Sequence, residues 1–324
     1  MDRPEILQIA PAMPTITDQI ANRFTVHRLW ETSDRDAWLA EHGHRIRGVA
    51  ASGHTPVNES LMGRLPALEI VSSFGVGYDQ VDAKWAGEHG IVVTNTPDVL
   101  TDEVADLTIG LVISTVRRIP AAERHLREGK WPSGTFPLTA SLRDRKVGIL
   151  GLGRIGKAIA KRLEAFGLAI SYHGRTRQEG VEYTFVADPV ELARQVDLLI
   201  SVIPGGGATE KLVGAEVFEA LGPNGIFINV GRGTVVDETA LIEALRSDKI
   251  LSAGLDVFAD EPNVPAELMT MDNVVLLPHV ASGTVHTRNA MGQLQVDNLI
   301  SWFEGRGALT PVAETAAVAA SRKP

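Results

Sequence analysis

The sequence predicts an α/β protein of two lobes, each built around a parallel sheet. Short apolar segments alternate with helical patterns from residue 1 to about 97, a pattern typical of parallel strands covered by helices on both faces. A second series of apolar segments runs from about 145 to 283. The chain has 324 residues, and single cores usually stop growing at roughly 250–300 residues. We therefore predict two doubly wound α/β domains with a ligand-binding cleft between them.

The first lobe reads as four strands separated by helices. The strands are EILQIA, IRGVAAS, LEIVSSFG and IVVTN, and the helices are DRDAWLAEHG, NESLMGRL and VDAKWAGEHG. The glycine-rich turn GVGYDQVD, residues 75–82, follows the third strand. It has two interpretations on local grounds: a tight connection, or backbone N–H groups that bind a small anion.

The segment Asp98–Asp106 predicts a crossover into a long helix that runs to about Arg118 and that Thr101 or Asp102 could cap. A loop follows at 129–141. The later strands of the second lobe are LAISYHG, YTFV, DLLISVIP, GIFINVG, LSAGLDVF and NVVLLPHV. The segment TVHTRNAMGQLQVDNLISWFEG predicts a final helix that returns to the first lobe. The small, polar tail ALTPVAETAAVAASRKP is expected to fray.

The stretch KVGILGLGRIGKAIA indicates a dinucleotide site, because a buried strand leads through glycines directly into a helix. Gly151 would allow the tight turn, Gly153 the approach of the backbone to the phosphates, and Gly156 the close packing of helix on strand. Arg154 and Ile155 complete the turn. The helix N-terminus would then face the pyrophosphate with unpaired N–H groups.

Composition narrows the class of protein further. The formal net charge of −9 argues against nonspecific nucleic-acid binding, which needs basic surface. The absence of cysteine excludes disulfides and thiol catalysis, and it fits a cytoplasmic protein. The N-terminus has no signal-peptide pattern and no apolar segment approaches 18 residues, so we expect no membrane association.

Polar residues follow three strands of the second lobe: Arg232 after FINVG, Glu261 after LDVFAD and His279 after VVLLP. Ligands bind outside the carboxyl ends of such strands. Hydride transfer to a 2-keto acid needs an arginine fork for the carboxylate, a proton donor such as histidine, and a carboxylate that fixes the imidazole tautomer. Taken singly, each residue also has a structural interpretation, as a salt-bridge residue, a solvated loop acid and a strand-end cap respectively.

Six sequence blocks resemble the D-isomer-specific 2-hydroxyacid dehydrogenase family in the family's order. They are GVGYDQVD, TPDVLTDEVADLTIGL, VGILGLGRIG, INVGRGTVVDETAL, AGLDVFADEP and LLPHVAS. The resemblance implies a flavodoxin-like substrate domain at 1–98 and 286–324, a Rossmann NAD(P)-binding domain at 99–285, and a homodimer.

The resemblance also implies a role for individual residues. Arg232 would orient the substrate, Glu261 would partner the base, and His279 would be the acid/base. Backbone N–H groups of Val76 and Gly77 would bind the substrate carboxylate with Ser282 nearby. Asp256 would hold the nicotinamide amide, and Pro204 would also border the cofactor.

The loop after the second strand of the cofactor domain predicts a preference for NADP(H) over NAD(H). An acidic residue normally holds the ribose hydroxyls of NAD about 20 residues past the glycines. Here the segment is Ser171-Tyr172-His173-Gly174-Arg175-Thr176-Arg177, with no acid before Glu179. Arg175, Thr176 and Arg177 would bind a 2′-phosphate through charge-assisted hydrogen bonds. The alternative is a solvated pair of loop arginines.

Within the family the chain resembles glyoxylate/hydroxypyruvate reductases, so the expected substrates are small 2-keto acids. Hydroxyphenylpyruvate and 2-ketogluconate reductases are the alternatives, and a nucleotide-sensing, corepressor-like binding protein is the alternative of another class. Trp131 either borders the site, from the partner subunit, or packs within its own loop. No metal site is evident, since His42 and His44 near Glu41 read as a solvated helix end.

Overall fold

The computed structural model describes residues 3–52 and 55–321, which form two compact units. The first unit comprises the chain up to Leu100 together with the segment that begins at Thr284, and the second is Thr101–Gly283. Both units are parallel-sheet α/β structures, so the predicted fold class is confirmed. The assignment of a substrate role to the first unit and a cofactor role to the second stays a prediction.

The first unit begins with alternating strands and helices. Its elements up to residue 100 are β1 (Glu5–Gln8), α1 (Pro14–Arg23), β2 (Thr25–Arg28), α2 (Arg35–His42), β3 (Ile46–Ser52), α3 (Glu59–Met62), β4 (Ile70–Phe74), α4 (Ala83–Glu88) and β5 (Val92–Thr94). The five strands form one parallel sheet in the order β2-β1-β3-β4-β5. This is the strand order of flavodoxin-like domains.

The second unit begins with two helices and continues into a larger sheet. Its elements are α5 (Thr101–Val116), α6 (Ile119–Arg127), β6 (Lys146–Leu150), α7 (Arg154–Glu164), β7 (Ala169–His173), β8 (Thr184–Phe185), α8 (Pro189–Arg194), β9 (Leu198–Ser201), α9 (Ala215–Leu221), β10 (Ile226–Asn229), α10 (Glu238–Arg246), β11 (Ser252–Leu255), α11 (Ala266–Thr270) and β12 (Val274–Leu276). The chain then returns to the first unit with α12 (Val285–Phe303) and α13 (Ala316–Ser321).

The sheet of the second unit is parallel throughout, in the order β12-β11-β10-β9-β6-β7-β8. Counted within the unit, its first six strands follow the dinucleotide-binding order 3-2-1-4-5-6. The chain reverses direction across the sheet between β6 and β9, and ligands bind at such a switch point. The glycine-rich turn follows β6 directly, so the topology places it at this point.

Both sheets carry a hydrophobic core on each face. In the first unit, Leu7 and Val49 belong to one buried cluster, while Ile6 and Ala50 belong to another that includes residues of α1 and α12. Alternate residues of one strand thus serve opposite faces. This explains why these strands read as continuous apolar runs in the sequence.

The sequence predictions miss two elements of the first unit, and one prediction is wrong. Helix α1 starts with Pro14 and β2 is a four-residue edge strand with no buried residue, so neither gives a clear periodic pattern. The tail does not fray through its described part. The chain forms a bridge between Thr94 and Pro311, and Val312, Thr315 and Ala319 are buried.

Several predicted strands are longer than the observed ones, and two of them show why. The segments DLLISVIP and LSAGLDVF hold β9 and β11, which end at Ser201 and Leu255. Beyond those ends, Ile203, Val257 and Phe258 are buried without belonging to the sheet, which is why the apolar pattern alone predicts longer strands. Along residues 3–52 and 55–321, no helix is long and apolar enough to cross a membrane. The cytoplasmic location stays a prediction.

Candidate active site

The glycine-rich turn has the geometry that the sequence predicts for a phosphate-binding turn. Gly151 has φ +94°, and a Cβ there would meet Ile203 Cγ2 at 2.6 Å. A Cβ on Gly156 would lie 2.1 Å from the carbonyl oxygen of Gly151, so helix α7 packs directly on the turn. A Cβ on Gly153 would meet nothing within 4 Å. Packing within the chain therefore does not require glycine at Gly153, whereas the approach of a pyrophosphate does.

The loop after β7 is basic and exposed. The side chains of Arg175, Thr176 and Arg177 all face solvent. Among the described residues, no carboxylate or other group pairs with either guanidinium. A 2′-phosphate would thus meet cations whose charge is not already neutralised. The chemistry of this loop fits NADP(H), while an acid at the ribose position, which NAD(H) usually needs, is missing from it.

Arg232 lies in a turn that is rigidly built. The turn follows β10, and the buried Asn229 spans it, donating from Nδ2 to the Arg232 carbonyl at 2.9 Å and accepting from the Gly231 N–H at 3.1 Å. A Cβ on Gly233 would lie 1.8 Å from the carbonyl carbon of Phe258, so this turn contacts the segment after β11. The guanidinium of Arg232 donates from Nη1 to the Gly231 carbonyl at 2.9 Å.

His279 and Glu261 form the central pair of the site. The Nδ1 atom of His279 lies 2.7 Å from Glu261 Oε2, and the other carboxylate oxygen, Oε1, accepts from the Phe258 N–H at 3.0 Å. An ionised carboxylate can only accept hydrogen bonds, so the proton sits on Nδ1. The Nε2 atom is then the nitrogen available for proton transfer. The side chains are 30% and 23% exposed, which rules out the solvated-acid interpretation of Glu261.

Asp256 fixes the backbone around His279. It is fully buried, and its two carboxylate oxygens accept from the N–H groups of Val280 and Ala281 at 2.8 and 2.9 Å. Its carbonyl accepts from the His279 N–H at 2.8 Å. Burial raises the pKa of Asp256, and the two N–H bonds partly oppose that rise. His279 has φ +52°, a strained conformation for a non-glycine residue that these three bonds maintain.

The sequence predicted that Asp256 would hold the nicotinamide amide, and that contact stays a prediction. The structure shows instead that the Asp256 carboxylate accepts hydrogen bonds from the N–H groups of Val280 and Ala281. The sequence could not reveal these bonds, because the two donors lie 24 and 25 residues after Asp256. Asn229 was missed altogether. The available signal was a polar residue, buried to 1% exposure, at the end of an otherwise apolar strand.

In the first unit, the turn GVGYDQVD is held by two residues that follow β5. The Gly75 N–H donates to Thr96 Oγ1 at 3.0 Å, and Asn95 Nδ2 donates to the Val76 carbonyl at 2.9 Å. Within the described part of the chain, the N–H groups of Val76 and Gly77 have no acceptor. The turn is therefore both fixed and able to donate to an anion, which favours the anion-binding interpretation over a mere connection.

The other residues that the sequence singles out differ in their position and in their exposure to solvent. Arg154 begins α7, the half-buried Ile155 packs on the core, Pro204 is exposed after β9, and Ser282 is half-buried. Trp131 is 64% exposed, so within one chain it does not pack in its own loop. Of the residues described, no three His, Asp or Glu side chains are arranged to hold a metal ion. His42 contacts the Trp38 ring instead.

Together, a dinucleotide-type sheet, a glycine-rich turn between its first strand and helix, and a histidine–carboxylate pair are the features of a dinucleotide-dependent oxidoreductase. A family model for the D-isomer specific 2-hydroxyacid dehydrogenase NAD binding domain matches residues 109–281. The chain therefore belongs to the D-isomer-specific 2-hydroxyacid dehydrogenase family.

Several known proteins similar to this chain are named as reductases. The solved structure of the NADPH-dependent glyoxylate/hydroxypyruvate reductase from Sinorhizobium meliloti, in complex with NADP and malonate, is 52% identical with a TM-score of 0.92, covering 97% of this chain and 98% of that one. The glyoxylate/hydroxypyruvate reductase A of Arabidopsis thaliana is 46% identical over 307 residues, 95% of this chain and 98% of its own. The hydroxyphenylpyruvate reductase of Plectranthus scutellarioides is 45% identical over the same share of each chain.

Proposed function

We propose that this enzyme reduces small 2-keto acids, above all glyoxylate and hydroxypyruvate, to 2-hydroxy acids with NADPH. The observation that carries the proposal is the His279–Glu261 pair at 2.7 Å, located after strands of the same sheet as the glycine-rich turn. The similarity to two glyoxylate/hydroxypyruvate reductases supports the substrate class.

The chemistry divides among three residues. A bound nicotinamide supplies the hydride that adds to the keto carbon. Arg232 binds the substrate carboxylate with a planar fork and polarises the carbonyl. His279 donates the proton from Nε2 to the carbonyl oxygen, which becomes the hydroxyl, and Glu261 holds Nδ1–H and stabilises the charged ring before transfer. Val76 and Gly77 are proposed to donate their N–H groups to the carboxylate, with Ser282 near the substrate.

The substrate assignment is tested by a steady-state comparison of four keto acids. With NADPH, we expect kcat/KM for glyoxylate and hydroxypyruvate to exceed that for hydroxyphenylpyruvate and 2-ketogluconate. The similarity to a hydroxyphenylpyruvate reductase makes that compound the main competitor. A higher kcat/KM for hydroxyphenylpyruvate would reassign the substrate while leaving the reaction unchanged.

The cofactor preference is tested at the basic loop. The double change Arg175→Ala/Arg177→Ala removes two unpaired cations from the proposed 2′-phosphate site. Each charge-assisted hydrogen bond contributes about 1.5–3 kcal/mol, so we expect the KM for NADPH to rise at least about tenfold and the KM for NADH to stay within about twofold. Steady-state kinetics with both cofactors provides the measurement. The exposed pair Arg143 and Arg246, changed to alanine, serves as a control for lost surface charge. An unchanged KM for NADPH in the loop variant would contradict the assignment.

We also propose that the enzyme is a homodimer that pairs through the segment 119–138. Helix α6 has no buried residue, and Ile119, Leu126, Trp131 and Leu138 are between 46% and 101% exposed. Several large apolar side chains exposed along one surface segment are typical of an interaction site. A second copy of the chain is the occupant that the family resemblance implies.

Charged substitutions test this interface directly. Leu126→Glu/Leu138→Glu introduces charges that a dimer interface would have to bury, so light scattering after size exclusion should show one chain mass for the variant and two for the wild type. Phe166→Glu, at another exposed apolar residue, should remain dimeric. A monomeric wild type at micromolar concentration would refute the proposal.

A further inference from the structure

We propose that Gln178 is a specificity-determining positioning residue, which holds the basic loop 174–177 against the glycine-rich turn so that its cations meet a 2′-phosphate. The inference rests on the proposed preference for NADPH. It concerns the residue directly after Arg177, which is half-buried while Arg175 and Arg177 are exposed.

Gln178 anchors the end of the loop with two hydrogen bonds. Its side chain donates from Nε2 to the carbonyl of Leu152, inside the glycine-rich turn, at 2.8 Å. Its own backbone N–H donates to the hydroxyl of Tyr172 at 2.8 Å. Tyr172 is 1% exposed and packs against Phe185, so this acceptor belongs to the core.

The start of the loop is tied to the same turn. The N–H of Gly151 donates to the carbonyl of His173, the last residue of β7, at 2.9 Å. The four residues 174–177 are thus fixed at both ends to the turn that is proposed to bind the pyrophosphate. In NADP(H) the 2′-phosphate and the pyrophosphate belong to one ligand, so a loop fixed relative to the turn would present both anion sites to that ligand together.

The side chain of Gln178 helps to hold the loop 174–177 in one conformation, which the exposed arginines do not do. Both guanidiniums are exposed and have no partner among the residues described, so the arginine side chains do not hold the loop themselves, and the side chain of Gln178 adds to the backbone bonds at its two ends. Ordering a flexible loop in advance lowers the entropy lost when a ligand binds. NADH has no phosphate for the loop to hold, so its affinity should depend little on Gln178.

The test uses Gln178→Met, which keeps the length of the side chain but removes the donor to Leu152. Binding is measured by calorimetry with adenosine 2′,5′-bisphosphate and with adenosine 5′-monophosphate, so that neither the nicotinamide nor the substrate contributes. Loss of one hydrogen bond predicts a Kd for the bisphosphate about three- to tenfold higher, and a Kd for the monophosphate within about twofold. In steady-state kinetics, the ratio of kcat/KM for NADPH to that for NADH should fall by the same factor.

Two further variants keep the result interpretable. Gln195→Met makes the same chemical change at the exposed end of α8 and should leave both Kd values unchanged. Tyr172→Phe removes the acceptor of the Gln178 N–H while keeping the ring, and should weaken binding of the bisphosphate in the same direction. Thermal midpoints show whether either variant has lost its fold.

The outcomes separate this inference from the function on which it rests. If the wild type prefers NADH, the proposed cofactor is wrong and Gln178 has no 2′-phosphate to serve. If the wild type prefers NADPH but Gln178→Met leaves the Kd of the bisphosphate unchanged, or raises both Kd values equally, the role of Gln178 is refuted while the proposed function stands.

Discussion

The His279→Asn variant is expected to lose about 10²–10⁴-fold in kcat for glyoxylate, the usual contribution of a general acid. Asparagine tolerates the positive φ of +52° at this position better than alanine does, so the backbone of the turn should persist. The variant loses the proton donor but keeps every proposed contact with the cofactor. The Kd for NADPH should therefore stay within about twofold. Stopped-flow measurement of the chemical step and fluorescence titration of the cofactor check the two halves of this prediction.

The exposed His44 provides the matched control, since His44→Asn makes the same change on the surface of the first unit. That variant should retain wild-type kcat. The kcat of Glu261→Gln should lie between those of His279→Asn and His44→Asn. An amide oxygen can still accept a hydrogen bond from Nδ1, but it carries no charge to stabilise the imidazolium. A kcat for His279→Asn within tenfold of the wild type would show that another group supplies the proton.

Arg232→Ala is expected to lower kcat/KM for glyoxylate by roughly 10²–10³-fold. Two charge-assisted hydrogen bonds to the substrate carboxylate are lost, together worth about 3–4 kcal/mol. Arg232→Lys should recover only part of this, because a compact ammonium cannot make two parallel bonds to one carboxylate. Initial rates over a range of glyoxylate concentrations at saturating NADPH provide the measurement.

Arg246, which is exposed in the last turn of α10, is the control for lost positive charge. Arg246→Ala should leave kcat/KM unchanged. The alternative, that Arg232 serves only a structural salt bridge, predicts a lower thermal midpoint with kcat/KM within about fivefold of the wild type. That pair of results would remove Arg232 from the substrate site.

Much of the architecture could be predicted because parallel sheets leave a simple trace in the sequence. Strands buried on both faces read as apolar runs, and the turn after β6 requires glycine where a Cβ would collide with Ile203 or with the chain itself. Helix α1, which begins at Pro14, and the short edge strand β2, which has no buried residue, leave no such trace, so the sequence does not predict them. The tail was predicted to fray because its small residues suggest disorder, yet Val312 and Ala319 are buried.

For the candidate site, the sequence predicts which polar residues lie near the ends of strands, but not the contacts between them. Arg232, Glu261 and His279 could be chosen because polar residues at those positions point to a ligand. That Glu261 contacts His279 depends on the three-dimensional course of the chain over 18 residues. The roles of Asn229 and Asp256 in holding those segments depend on backbone N–H and carbonyl groups, which carry no sequence signal.

The basic loop and its anchor differ in how far the residues involved lie apart along the chain. The basic loop was recognised from the residues themselves, since an acid is absent and two arginines are present. Its attachment to the glycine-rich turn through Gln178 was not, because Gln178 and Leu152 lie 26 positions apart. Residues that bind a ligand tend to be visible in a sequence, whereas those that position them are visible only in a structure.

The most direct test of the central claim is the fate of NADPH when the purified protein meets glyoxylate. We predict that the absorbance of the reduced nicotinamide falls, that glycolate forms in equal amount, and that NADH reacts with a lower kcat/KM. If the protein binds NADPH but glyoxylate, hydroxypyruvate, hydroxyphenylpyruvate and 2-ketogluconate all leave the absorbance unchanged, the claim is contradicted. A nucleotide-sensing binding protein would then be the better description.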